Sequence, residues 1–174
     1  MHERGLVGGR IVTTGPPLSP VARYDAALYL DQSAYVTEQR FAATANLFVD
    51  RRVIESAGAF DADLRSGGDL EFCHRAAEHG GRLVYSAEAV VVHDARTSYR
   101  ELWRLHRRLG SGWAALARRG ARPPFWRDPA LRWPTFHLVV ERVNATSPTI
   151  RRRQLAPVHA TAMAARWTGR LTGR

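Results

Sequence analysis

The chain has 174 residues, 45% of them hydrophobic, which suits a single core-forming domain with an appendage. No run of 18 apolar residues occurs, so no membrane-spanning helix is expected, and the one cysteine, Cys73, excludes an internal disulfide. The net charge of +10 is unevenly spread: residues 1–95 carry 9 Arg against 13 acids, residues 96–174 carry 17 Arg against 3, and there is no Lys. The charge therefore belongs to the second half. Such an asymmetry fits contact with an anionic surface (lipid headgroups, polyphosphate, nucleic acid or an acidic partner) or a merely solvated arginine face.

The first residues, Met1 to Gly5, lack the apolar core of a secretory signal, and with the lone cysteine this leads to an expected cytoplasmic location. Gly8 to Thr14 reads as a turn and a short strand, ended by the prolines of residues 15–20. Residues 21–40 read as loop or weak helix. Ala42 to Val49 reads as a buried strand. A short helix is expected over Arg51–Ala57, with Gly58 stopping it. Residues 69–79 read as a helix ended by Gly80-Gly81, with Leu70, Phe72, Cys73, Ala76 and Ala77 covering much of its circumference. Leu83–Tyr85 and Ala89–Val92 are two expected strands, divided by Ser86-Ala87-Glu88.

From Thr97 to Arg119 the period becomes helical. Leu102, Leu105, Leu109, Trp113 and Leu116 form one stripe, most arginines lie off it, and Gly110 and Gly112 are expected to bend or break the helix. Pro123-Pro124 and Pro129 mark a linker. Residues 131–145 suggest a further helix with Leu138, Val139 and Val143 on its apolar side. Arg151-Arg152-Arg153 opens a basic, small-residue tail expected to be partly disordered.

Several residues have chemistry to offer. Asp69 follows Gly67 and Gly68 and opens a helix, where amide donors and the helix dipole favour its ionised form. It is either a general base or, with Ser66, part of a helix cap. Glu71 and Arg75 stand four apart, suited to an ion pair, or to polarising the site and holding the Gly67-Gly68 loop or a phosphate. His93 ends an apolar run, where it is either a structural residue or a metal ligand oriented by Asp94. Asp61-Ala62-Asp63 looks like a carboxylate pair for a metal but reads as a turn. Thr44 and Asn46 either bond the backbone or face a ligand's hydroxyls. No phosphate loop, zinc spacing, helix-turn-helix or RNP pattern is present, so nucleic acid is not an expected partner.

The order of these residues is more specific than any one of them. Phe41 to Asn46, Gly58-Ala59-Phe60-Asp61, Gly67-Gly68-Asp69-Leu70-Glu71, Arg75 and Val91 to Arg96 resemble the second half of a family 2 inverting glycosyltransferase of the GT-A fold. The resemblance implies an α/β fold: a Rossmann-like, mixed-sheet partial GT-A domain over residues 1–96. A basic amphipathic helix (97–122) and a Pro/Arg-rich helical or partly disordered tail (123–174) would follow. It implies transfer of a sugar from a nucleotide-sugar to an acceptor hydroxyl with inversion, the acceptor being a glycan or lipid-linked envelope precursor. Asp69 matches the base and Glu71 stands in for the acid absent at Gly68. His93 matches a position near the donor's diphosphate or metal, and Thr44 and Asn46 match the acceptor-side strand. The family's Asp-x-Asp motif, which holds Mg²⁺ or Mn²⁺ in the first half, has no counterpart here. A truncated or split enzyme is therefore expected, inactive without a first-half partner, or else a non-catalytic acceptor-binding or scaffold module. The basic helix, with its Leu/Trp stripe, is expected to attach peripherally to an anionic membrane.

Overall fold

The computed structural model describes residues 5–16, 19–120, 136–146 and 150–173. The proline linker read at Pro123-Pro124 and Pro129 lies outside the described residues. The chain divides into two compact units, Met1–Thr13 with Leu30–His93 and Thr14–Tyr29 with Asp94–Arg174.

The first unit is built on a three-stranded sheet in the order β2-β1-β3. Strand β1 (Gly5–Thr14) pairs antiparallel with β2 (Leu47–Val49), Leu6 opposite Val49 and Gly8 opposite Leu47. Strand β3 (Arg82–Asp94) is one continuous strand of 13 residues, where the sequence suggested two. Ser86-Ala87-Glu88 contains neither Gly nor Pro, so nothing forces a turn, and burial alternates along much of the strand.

Helix α2 (Gln32–Gln39) lies directly on β1: a Cβ added to Gly8 would meet Ala42 Cβ and Val36 Cγ2 at 2.8 Å. This helix, and α1 (Pro20–Leu28) of the second unit, fill the stretch that read as loop or weak helix. Each has a side-chain cap. Ser19 Oγ accepts from Ala22 N–H at 3.2 Å ahead of Pro20, and Asp31 Oδ1 accepts from Ala34 N–H at 3.1 Å.

The expected strand Ala42–Val49 is a 3₁₀ turn (Thr44–Asn46) leading into the three residues of β2. The cause is Gln32, 2% exposed. Its Oε1 accepts from Ala43 N–H at 2.8 Å, and its Nε2 donates to Ala43 O at 3.2 Å and Asn46 O at 2.9 Å. Backbone groups that a strand would need are thus bonded to α2. Helix α3 (Arg51–Ala57) ends at Gly58 as its sequence predicts. Helix α4 (Gly68–Glu78) buries Leu70, Phe72, Cys73 and Ala76, while Ala77 is exposed.

The second unit is helical: α1, α5 (Tyr99–Arg118), α6 (Phe136–Thr146) and α7 (Arg152–Thr172). Helix α5 runs unbroken through Gly110 and Gly112 because both are buried in packing. The leucine stripe does not face outward for a membrane. Leu102, Leu105 and Leu116 are at most 3% exposed, and α5 packs chiefly on α7. The tail read as helical or partly disordered forms α7, with Leu155, Val158, Ala162 and Ala165 buried on one side at helical spacing. In α6, Val139 and Val143 are buried, whereas Leu138 is 54% exposed.

A polar network sits in this helical core. Tyr24 hydroxyl and His159 Nδ1 are 3.0 Å apart, and Arg166 Nε donates to His106 Nδ1 at 2.9 Å. A ring nitrogen that accepts carries no proton, so His106 is held neutral. Burial first, then the charges of Arg166 and Arg96 and the neighbouring His159, lower its pKa to about 2. Burial and Arg166 likewise lower that of His159, and burial raises that of Tyr24 to about 12.

The unfolded chain binds a proton at His106 below about pH 6.5 and the folded one does not, so acid favours unfolding. Between pH 6.5 and 5 this one group costs about 2 kcal/mol. Urea midpoints should fall over that range. His106→Gln, which keeps an acceptor for Arg166, should flatten the fall.

Candidate active site

The residues singled out by sequence lie on three elements of the first unit. Asp69 is in the first turn of α4, half-buried, with Oδ1 accepting from Leu70 N–H at 2.9 Å. The cap before it is Gly67, left-handed at φ 82°, rather than Ser66. The backbone turns there without a side-chain bond, which places Asp69 inside the helix, not on its cap. At this end of α4 the amide dipoles favour the carboxylate anion.

Gly67 and Gly68 play different parts. A side chain at the left-handed Gly67 is strained by about 1–2 kcal/mol. At Gly68 a Cβ would stand 3.7 Å from Leu64 Cβ, an ordinary contact. Gly67→Ala is therefore expected to destabilise, and Gly68→Ala to stabilise by up to about 1 kcal/mol through helix propensity. Urea unfolding of the two variants checks the order.

Glu71 and Arg75 form the ion pair their spacing predicts. Arg75 Nε donates to Glu71 Oε1 at 2.7 Å and its Nη2 to Oε2 at 3.0 Å. The guanidinium does not hold the Gly67-Gly68 loop. Its other hydrogen bonds go to Ala57 O and to Ala59 O, the latter at 2.9 Å, and it stacks 5.6 Å from the Phe72 ring. Phe72 in turn stacks on Phe60 at 4.2 Å. Arg75 thus ties the turn after α3 to α4, and the bond to Glu71 raises its pKa further. Glu71 is engaged by this pair. Asp61 Oδ1 accepts from Asp63 N–H at 2.9 Å, the turn its sequence suggests.

Asn46 is 5% exposed and bonds the backbone: its Nδ2 donates to Arg10 O of β1 at 3.0 Å and to Ala89 O of β3 at 2.8 Å. Thr44, on the same 3₁₀ turn, is exposed. Gln32, which holds that turn, escaped the sequence reading. Its signal was a polar residue one position after an Asp suited to capping a helix. Cys73 Sγ lies 3.9 Å from Ala42 O, and burial pushes its thiol up to about 11.

His93, near the end of β3, is half-buried and its Nδ1 has no hydrogen-bond partner among the described residues. Among those residues no group of three His, Cys, Asp or Glu side chains could hold a metal ion. His93 offers a single donor, and the described residues do not fit a metal centre on their own.

The sequence is 34% identical to glycosyltransferase AglE of Haloferax volcanii over 108 residues, 62% of this chain and 35% of that protein. It is 36% identical to the pre-mycofactocin glycosyltransferase of Mycobacterium tuberculosis over 117 residues, 63% of this chain and 25% of that protein. The chain spans 35% and 25% of the length of these curated relatives. No family model and no solved structure matches the chain.

Proposed function

We propose that residues 41–96 form the acceptor-side part of a family 2, GT-A-type inverting glycosyltransferase, with Asp69 as the base. The observation that carries the reading is the half-buried Asp69 carboxylate, held in the first turn of α4 beside an acid already engaged by Arg75. The similarity to two proteins named as glycosyltransferases supports it. In the reaction, the acceptor hydroxyl gives its proton to Asp69 as its oxygen attacks the anomeric carbon. The sugar–phosphate bond breaks and the nucleoside diphosphate leaves. Glu71 and Arg75 act through the turn after α3, which they tie to α4, while Thr44 flanks the acceptor and Asn46 joins the middles of β1 and β3 beneath it.

The reading assigns the diphosphate and its Mg²⁺ or Mn²⁺ to residues that this sequence does not supply, with His93 at most one ligand. The chain alone is then a weak or inactive transferase. Two measurements test this. Titration of the chain with UDP- or GDP-sugars and Mn²⁺ should show no tight binding. A chimaera that places residues 41–96 in the aligned segment of the pre-mycofactocin glycosyltransferase should retain sugar transfer. A folded chimaera without transfer overturns the proposal.

A non-catalytic acceptor-binding module is the second reading, favoured by the engagement of Glu71 with Arg75. It predicts acceptor binding by the folded chimaera without turnover.

A further inference from the structure

The exposed side of α5 is an arginine face. Arg100, Arg104, Arg107 and Arg108 stand at i, i+4, i+7 and i+8, on one side of a 3.6-residue helix, and all four are exposed. The opposite side of the helix is packed in the core through Leu102, Leu105 and Leu116, so the helix cannot roll to hide them. Among the described residues none of the four has an ion-pair partner. The acid nearest in sequence, Glu101, is engaged in the helix cap. Its Oε2 accepts from Thr97 N–H and Ser98 N–H at 3.2 Å and from Ser98 Oγ at 2.9 Å. In the first unit, by contrast, Arg51 pairs with Glu55 and Arg75 with Glu71.

Two further features share this end of α5. Tyr99 and Trp103, four apart, are 46% and 37% exposed along one flank of the arginines. A shallow groove of about 310 Å³ is lined by Arg96, Glu101, Arg104, Leu105 and Arg108. Arg96 is already bonded to Asp25, at 3.2 Å, which leaves Arg104 and Arg108 to meet a phosphate there.

We propose that this face docks the chain on a membrane surface through anionic lipid headgroups. Uncompensated arginines on a straight, rigidly held helix meet a plane of negative charge without rearrangement, and each strengthens partitioning about fivefold. Amphipathic Tyr and Trp rings at the edge of the patch suit headgroup depth. Binding to single-stranded nucleic acid calls for a backbone-tracking cleft floored by stacking aromatics. Here both rings lie at the flank of the arginines and do not line the groove.

Flotation of the 174-residue chain with phosphatidylcholine vesicles, with and without phosphatidylglycerol, tests the proposal. Association is expected only with phosphatidylglycerol and should weaken as salt rises. The variant R100Q/R104Q/R107Q/R108Q should lose about 100-fold or more in partitioning at an unchanged melting temperature. The control R10Q/R51Q/R65Q/R82Q makes the same charge change on exposed residues of the first unit and should lose much less. Flotation indifferent to phosphatidylglycerol, or equal losses in the two variants, overturns the proposal. So does displacement from the vesicles by a single-stranded oligonucleotide at a lower charge concentration than phosphatidylglycerol supplies. The glycosyl-transfer reading is untouched by any of these results, since no sugar donor is used.

Discussion

Asp69→Asn, in a chimaera that transfers sugar, is expected to lower kcat by about 10²–10⁴-fold, the range for loss of a general base. The substitution is close to isosteric. The Asn carbonyl can still accept the 2.9 Å bond from Leu70 N–H, so the first turn of α4 should keep its geometry and the melting temperature should hold. What disappears is basicity. An amide cannot take the acceptor's proton, and the nucleophile must attack as a neutral hydroxyl. Glu71→Gln provides the contrast. It weakens the pair with Arg75 and so the tie to the turn at Ala57 and Ala59, which should lower stability while costing less than about tenfold in kcat. A variant at Glu71 that is fully stable yet as slow as Asp69→Asn would transfer the role of base to Glu71.

Gly169→Ala should lower the melting temperature of the helical unit by about 10 °C or more, from a loss of about 2 kcal/mol or above. Helices α5 and α7 meet backbone to backbone. A Cβ at Gly169 would stand 2.8 Å from the Arg107 carbonyl carbon and 3.0 Å from Ser111 N, closer still to Arg107 O. One at Gly110 would be 3.0 Å from the Arg166 carbonyl carbon. Neither obstacle is a side chain that can swing away, so the helices must separate. Separation opens the packing of Leu102, Leu105, Leu155 and Val158 together. Alanine's better helix propensity, about 1 kcal/mol, offsets only part of the loss. Thr168→Ala, one residue earlier in α7, should leave the melting temperature nearly unchanged. A Gly169→Ala protein as stable as the parent would mean that the helices do not pack this closely.

The elements legible in the sequence were those whose signals are local. Gly58 ends α3, Gly80-Gly81 follow α4, and the apolar stripe Leu102–Leu116 marks α5, because caps, breakers and period act over a single turn. The two early helices carried equally local signals at Ser19-Pro20 and Asp31, but their weak apolar periodicity left the stretch readable as either loop or weak helix. The strand read at Ala42–Val49 failed for a non-local reason. Gln32, eleven residues before Ala43, binds the backbone that a strand would have used. At the site, spacing yielded the Glu71–Arg75 pair but not its third member, the turn at Ala57–Ala59, since that contact crosses from one helix to another. Small residues left α7 readable as either helical or partly disordered: Ala162, Ala165 and Gly169 look weakly apolar in sequence, and their value lies in letting α5 come close.

The Asn46 amide that joins Arg10 O to Ala89 O occupies the space above Gly9, where a Cβ would fall 2.7 Å from Asn46 Cγ. Positions 9 and 46 are thus a lock and its key. A methyl at the first evicts the carboxamide from the second, and a residue at 46 unable to donate leaves two carbonyls facing each other with nothing between them. A Cβ at Gly9 would also strike the carbonyl oxygen of Ala89, a backbone atom that no change at position 46 moves, so the neighbouring strand closes position 9 to any side chain even when its key is withdrawn.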